Sequence, residues 1–151
     1  MIPTTEFEKL LKSVLIKTYK TGNEEYKNIV DDIKNLSKTM NAYNNQKINR
    51  NCYLNEIRFL KGKYKEQLKE SVISYQSVVF EGFTYKNDVN TMINGASSLK
   101  LWLIRYLALK HTNIELTDVL DFSNNDYSIT EKYQVIDVML FKKIINEKVT
   151  N

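Results

Sequence analysis

An all-α fold, packed as a single compact bundle-like domain over residues 1–151, is what this sequence predicts, and three observations predict it. The only proline is Pro3, so no later residue lacks a backbone donor or clashes with a helix interior. Glycine is scarce, four in 151 residues, which argues against a turn-rich sheet protein. Apolar residues recur at spacings of three and four, the period of helices with one buried stripe. A chain of this length fits one domain with a sizeable core.

The elements follow in order. Thr5-x-x-Glu8 has the form of a capping box, and Phe7, Leu10, Leu11, Val14 and Leu15 form the first stripe, stopped by Gly22. Tyr26, Ile29, Val30, Ile33, Leu36, Met40 and Tyr43 make the second helix. The Asn-rich run 44–51 loses the period and reads as a loop. A third and longest helix is expected over about 52–81, with Tyr53, Ile57, Leu60, Tyr64, Leu68, Val72, Tyr75 and Val79 inward and Gly82 at its end. Asp88 is placed to cap a fourth helix, 89–112. A short helix at 116–122 and a turn at 123–128 follow. Ser128-x-x-Glu131 then caps a final helix, 129–148. The expectation is therefore five long helices with room for one short one.

The fourth helix stands apart. Val89, Met92, Ile93, Ala96, Leu99, Leu103, Tyr106 and Leu107 form a stripe, but Leu101, Trp102, Ile104, Ala108 and Leu109 cover the other faces. A helix apolar all round is packed on most sides, so residues 89–112 are expected at the centre of the domain.

Charge is unevenly distributed. The net charge is +4, yet residues 44–70 carry seven Lys and Arg against three Glu, whereas residues 111–151 carry four Lys against seven Asp and Glu. A basic middle and an acidic end suit an anionic partner, a nucleic acid or an acidic protein surface. Cys52 is the only cysteine and His111 the only histidine, which speaks against a disulfide or a zinc site within the chain, and no cofactor is expected. The N-terminus lacks a basic stretch leading into an apolar run, and Lys100, Arg105 and Lys110 interrupt the longest apolar segment. Neither a signal peptide nor a membrane span is expected, and the lone Cys fits the reducing cytoplasm of a bacterium or an infected host cell. Lysine outnumbers arginine 19 to 3, and Asn, Ile and Tyr are abundant. That usage suits an AT-rich genome such as that of a phage, virus or mobile element.

Arg58, Lys61, Lys65 and Lys69 step by three, four and four, one basic line opposite the Leu60, Tyr64 and Leu68 face. Lys61–Lys65 and Lys65–Lys69 are like-charge neighbours one turn apart, which costs a few tenths of a kcal/mol each in an isolated helix. With Lys47, Arg50 and Lys63 nearby, such a line can follow a phosphate backbone, and Tyr43 or Tyr53, where exposed, can stack on bases. Tyr53, Tyr64 and Tyr75 recur every 11 residues on one face, a core stripe or the wall of an aromatic groove.

Arg105 precedes His111 by six residues. This spacing resembles the Arg-x4-6-His signature of the HEPN family, small all-helical proteins that include many metal-independent ribonucleases. The resemblance covers those two residues with the helical class and size, and Tyr106 stands where that family commonly has a polar residue, often Asn. It implies an endoribonuclease in which Arg105 stabilises phosphorane charge and His111 moves a proton. On an ideal helix the two side chains point about 120° apart. The structural alternative pairs Arg105 with Asp118, Asp121 or Asp137 and leaves His111 at a helix C-terminus, where a cation is favoured.

Residues 121–132 resemble a calcium loop only in part. Asp126 replaces the required Gly and Lys132 the required Glu, so no metal site is expected. No Gly-rich phosphate loop or nucleophile elbow is present. The expected function is that of a small, non-catalytic, inhibitor-like regulator acting through the helix face of Arg58, Lys61, Lys65 and Lys69, with homodimers compatible. The rivals are the ribonuclease and a helical sensor holding an apolar ligand beside the fourth helix.

Overall fold

A computed structural model describes residues 2–80 and 89–147, with side chains at all of these but 89 and 90. The described residues form helices and no strand: α1 (Thr4–Lys20), α2 (Glu24–Asn44), α3 (Arg50–Lys63), α4 (Lys65–Val79), α5 (Val89–Met92), α6 (Ala96–Thr112), α7 (Leu116–Val119) and α8 (Ile129–Ile145).

The helix ends show which local signals act. Gly22, at φ 76°, takes the left-handed conformation that ends α1. The Thr5–Glu8 box does not form. Instead α1 starts at Thr4 behind Pro3, with no side chain on its first amides. Asn23 Oδ1 accepts from the Tyr26 amide at 3.1 Å, and Asn49 Oδ1 from the Cys52 amide at 2.9 Å, so two asparagines cap α2 and α3. Ser128 and Glu131 do make a capping box: Ser128 Oγ accepts from the Glu131 amide at 3.2 Å, and Glu131 Oε1 from the Ser128 amide at 3.4 Å. α7 is shorter than the expected 116–122, because Leu120 turns extended. The Asp88 cap falls outside the described residues.

Two long helices of the sequence reading are divided. The expected helix 52–81 bends at Tyr64, which ends α3 and begins α4. The bend lies within a continuing ladder: the Tyr64 amide donates to Leu60 O at 3.0 Å, and Tyr64 O accepts from the Leu68 amide at 2.9 Å. Gly62 weakens the helix just before it. The Tyr64 ring is buried, and its hydroxyl is drawn to Asp32 on α2, alongside Lys63, whose ammonium lies 2.8 Å from the same carboxylate. The expected helix 89–112 is interrupted at residues 93–95. Ser98 Oγ there accepts from the amides of Asn94 and Gly95, both at 3.2 Å, and so starts α6 afresh.

α6 is the central helix. Every residue from Trp102 to Leu109 is buried, and the helix packs against α1, α2, α3, α4 and α8. Leu99, Leu103, Ile104 and Leu107 are wholly enclosed, each contributing about 1.5–3 kcal/mol of burial. Asn113, in the left-handed region at φ 52°, closes the helix by donating its amide to Leu109 O.

Candidate functional site

The basic line lies on the outside of α3 and α4, but only three of its four members face solvent. Arg58, Lys65 and Lys69 are exposed and make no ion pair among the described residues. Because the ladder continues through Tyr64, their spacings of seven and four keep them near one line. Lys61 departs from the expectation. It is half-buried, and its ammonium donates to the Ile93 carbonyl at 2.7 Å, fastening the α5–α6 connection to α3. Of the neighbouring charges, Lys63 pairs with Asp32, and Glu70 pairs with Lys110 at 2.5 Å. Glu66 stays exposed beside the line.

Two apolar side chains on this surface were not singled out by the sequence reading. Phe59 is 64% exposed and Ile73 56% exposed. Helix phase was the available signal: Phe59 falls between inward Ile57 and Leu60, and Ile73 between inward Val72 and Tyr75, so neither joins the core stripe. Phe59 is one turn from Gly62, where an added Cβ would meet nothing, so the surface beside the ring is open. Tyr43 and Tyr53 are half-buried, and each covers one face of the other's ring. They stack on each other, centroids 4.4 Å apart and planes within 9°, and clasp the α2–α3 hairpin.

Arg105 and His111 are committed to different acids. Arg105 is 7% exposed, and its Nε and Nη2 each donate at 2.8 Å to the two oxygens of Asp137 on α8, which is 1% exposed. The Tyr75 hydroxyl donates to Asp137 Oδ1 at 2.7 Å. The guanidinium carbon lies 4.5, 5.0 and 5.3 Å from the ring centres of Trp102, Tyr75 and Tyr133, so aromatic faces enclose the cation. Burial alone would lower the Arg105 pKa, but the Asp137 carboxylate more than offsets it, and the net shift is upward. Burial, and then Asp137, hold the Tyr75 phenol well above its ordinary value of 10.0. His111, in the last turn of α6, has Nε2 2.5 Å from Glu147 Oε2. That contact holds the Glu147 carboxyl below its usual range. Cleavage needs both groups to converge on one phosphate, and here the guanidinium is enclosed and doubly bonded.

The tyrosine stripe divides in a similar way. Tyr64 reaches Asp32, Tyr75 reaches Asp137, and on α6 Tyr106 donates to Glu25 Oε1 at 2.8 Å. These hydroxyls tie helices together through carboxylates. Beside α6, an open groove of about 280 Å³ has Leu11 and Leu15 along it and Glu8, Lys9, Lys12 and Lys100 around it. Two leucines offer little apolar surface to an enclosed ligand. No group of three or more His, Cys, Asp or Glu among the described residues is placed to hold a metal, and no described helix is long and apolar enough to cross a membrane.

Comparison with protein-family models, curated proteins and solved structures finds no match for this chain.

Proposed function

We propose that the protein is a non-catalytic binding regulator that engages an anionic partner through the outer face of α3 and α4. The observation that carries this reading is the set Arg58, Lys65 and Lys69, exposed and without ion pairs among the described residues, beside the exposed ring of Phe59. A cation already paired within the chain must break that pair to bind. These three need not, and binding through them releases or screens counterions. Phe59 adds an apolar anchor among the charges. The ribonuclease reading has no such support, because Arg105 is taken up by Asp137 and the rings around it.

The test uses two polyanions, poly-glutamate and single-stranded RNA. Binding to at least one of them is expected, weakening steeply as salt rises. Lys65→Glu with Lys69→Glu should reduce it by at least about tenfold with the fold unchanged, because reversal turns attraction into repulsion. His111→Ala should leave binding unchanged, and no RNA should be degraded. Binding that ignores both salt and charge reversal would place the interface elsewhere. RNA cleavage lost in His111→Ala would revive the nuclease.

A further inference from the structure

We infer that the α3–α4 face pairs with the acidic α7 end of a second copy of this chain, forming an antiparallel two-fold dimer. This rests on the reading of that face as an anion-binding surface and names one occupant for it.

The chain carries a second exposed surface of opposite character. Glu115, Asp118 and Asp126 are exposed and make no ion pair among the described residues. Asp121 is exposed too and accepts from the Ser123 amide at 2.9 Å. Among them stand Val119, 52% exposed, and Ile129, 51% exposed. Three exposed cations beside exposed Phe59 and Ile73 thus have a counterpart in three exposed carboxylates beside exposed Val119 and Ile129.

These two surfaces cannot neutralise each other within one molecule. α7 packs against α4. Lys132 donates to Val79 O at 3.4 Å while lying 5.8 Å from the centre of the buried Phe122 ring, which fixes this segment at the C-terminal end of α4. Lys65 and Lys69 occupy the other end. From Lys65 to Val79 the helix rises about 21 Å, more than twice the screening length of about 8 Å at physiological salt. Ile73 lies between the ends, one turn beyond Lys69.

A charged line with unlike ends and an apolar middle is self-complementary when reversed. Placing a second α4 antiparallel to the first sets each basic end against the other copy's acidic end. The same two contacts form twice, as a two-fold axis requires, with Ile73 of each copy near that axis. Assembly driven by a few charge pairs and small apolar anchors is salt-sensitive rather than permanent.

Sedimentation of the full chain across a concentration series tests this directly. In low salt the mass should rise from 17.8 kDa towards twice that value, and should return to it as salt is added. Lys65→Glu/Lys69→Glu and Glu115→Lys/Asp118→Lys should each weaken self-association by about a hundredfold or more, since like charges then meet. Mixing the two variants should restore a one-to-one pair, because one now carries acid at both ends and the other base. A wild-type chain that stays monomeric in low salt, a dimer indifferent to salt and charge reversal, or a mixture that fails to pair would each overturn the inference. Its failure is distinguishable from failure of the anion-binding reading: Glu115→Lys/Asp118→Lys should still bind the polyanion probe, whereas Lys65→Glu/Lys69→Glu should not. A monomeric wild type with that binding pattern would sink the dimer and leave the anion-binding face standing.

Discussion

Arg105 and Arg58 are the same residue type less than fifty positions apart, and they do opposite work. Arg105 sits on the central helix with both nitrogen contacts on Asp137 and three aromatic rings around it. Arg58, with Lys65 and Lys69, is exposed on the outer face of α3 and α4 and makes no ion pair among the described residues. The first arrangement spends its charge inside the fold and joins α6 to α8 and, through Tyr75, to α4. The second leaves charge available to another molecule. What separates a cation committed to the fold from one left at the surface is therefore the satisfaction of its partners, and that is a tertiary property.

The sharpest way to break this contrast is to remove the acid from the buried pair. Asp137→Asn should cost about 3–5 kcal/mol, because it leaves the Arg105 guanidinium enclosed without a counter-charge. Chemical denaturation measures it. Replacing both partners, Arg105→Met with Asp137→Leu, should recover much of that loss, since an apolar pair of similar volume carries no desolvation penalty. A loss under about 1 kcal/mol for Asp137→Asn would mean that water already reaches the pair, and that Arg105 is not the structural cation described here.

Alkaline titration sharpens the same contrast through the tyrosines that meet carboxylates. Tyr75 is raised by burial and then by Asp137, Tyr64 by burial and then by its hydrogen bond to Asp32, and Tyr106 by burial and then by its hydrogen bond to Glu25. Each keeps its proton in the folded chain at pH values where the unfolded chain loses it. Their stabilisation is thus complete below the ordinary tyrosine value of 10.0 and declines as pH rises above it. Tyrosinate absorbance followed with helical circular dichroism should show these phenols ionising together with unfolding. Ionisation of all the tyrosines near the ordinary value, with the helices intact, would contradict the buried network.

Much of the architecture was legible in sequence because it depends on local periodicity. The all-round apolarity of residues 99–109 identified the central helix, and Gly22 and the Ser128–Glu131 box identified two ends correctly. The bend at Tyr64 was not legible, because the apolar stripe runs through it unbroken, and the Asp32 carboxylate that the Tyr64 hydroxyl reaches lies 32 residues away in sequence. Asn49, capping α3, was hidden inside a run of asparagines that read simply as loop. For Arg105 the sequence left three aspartates open, and only packing against α8 selects Asp137. Phe59 and Ile73 were readable in principle as residues out of phase with the stripe. An isolated apolar residue on a surface is ordinary, so neither marks a site by itself.

Lys61 and Lys65 put the smallest and most discriminating test. They sit one turn apart on the same basic line, and spacing alone gives them the same role. The fold separates them: the Lys61 ammonium donates to the Ile93 carbonyl at 2.7 Å, and Lys65 projects into solvent at the start of α4. Lys61→Met should therefore cost about 1 kcal/mol through a lost hydrogen bond at the α5–α6 connection, while binding of the polyanion probe changes little. Lys65→Met should stay within about 0.5 kcal/mol in stability and should weaken that binding. Paired denaturation curves and salt titrations on the two variants read both quantities. The reverse pattern, with stability lost at Lys65 and affinity at Lys61, would mean that the ammonium of Lys61 leaves Ile93 in solution and that the basic line works as four residues rather than three.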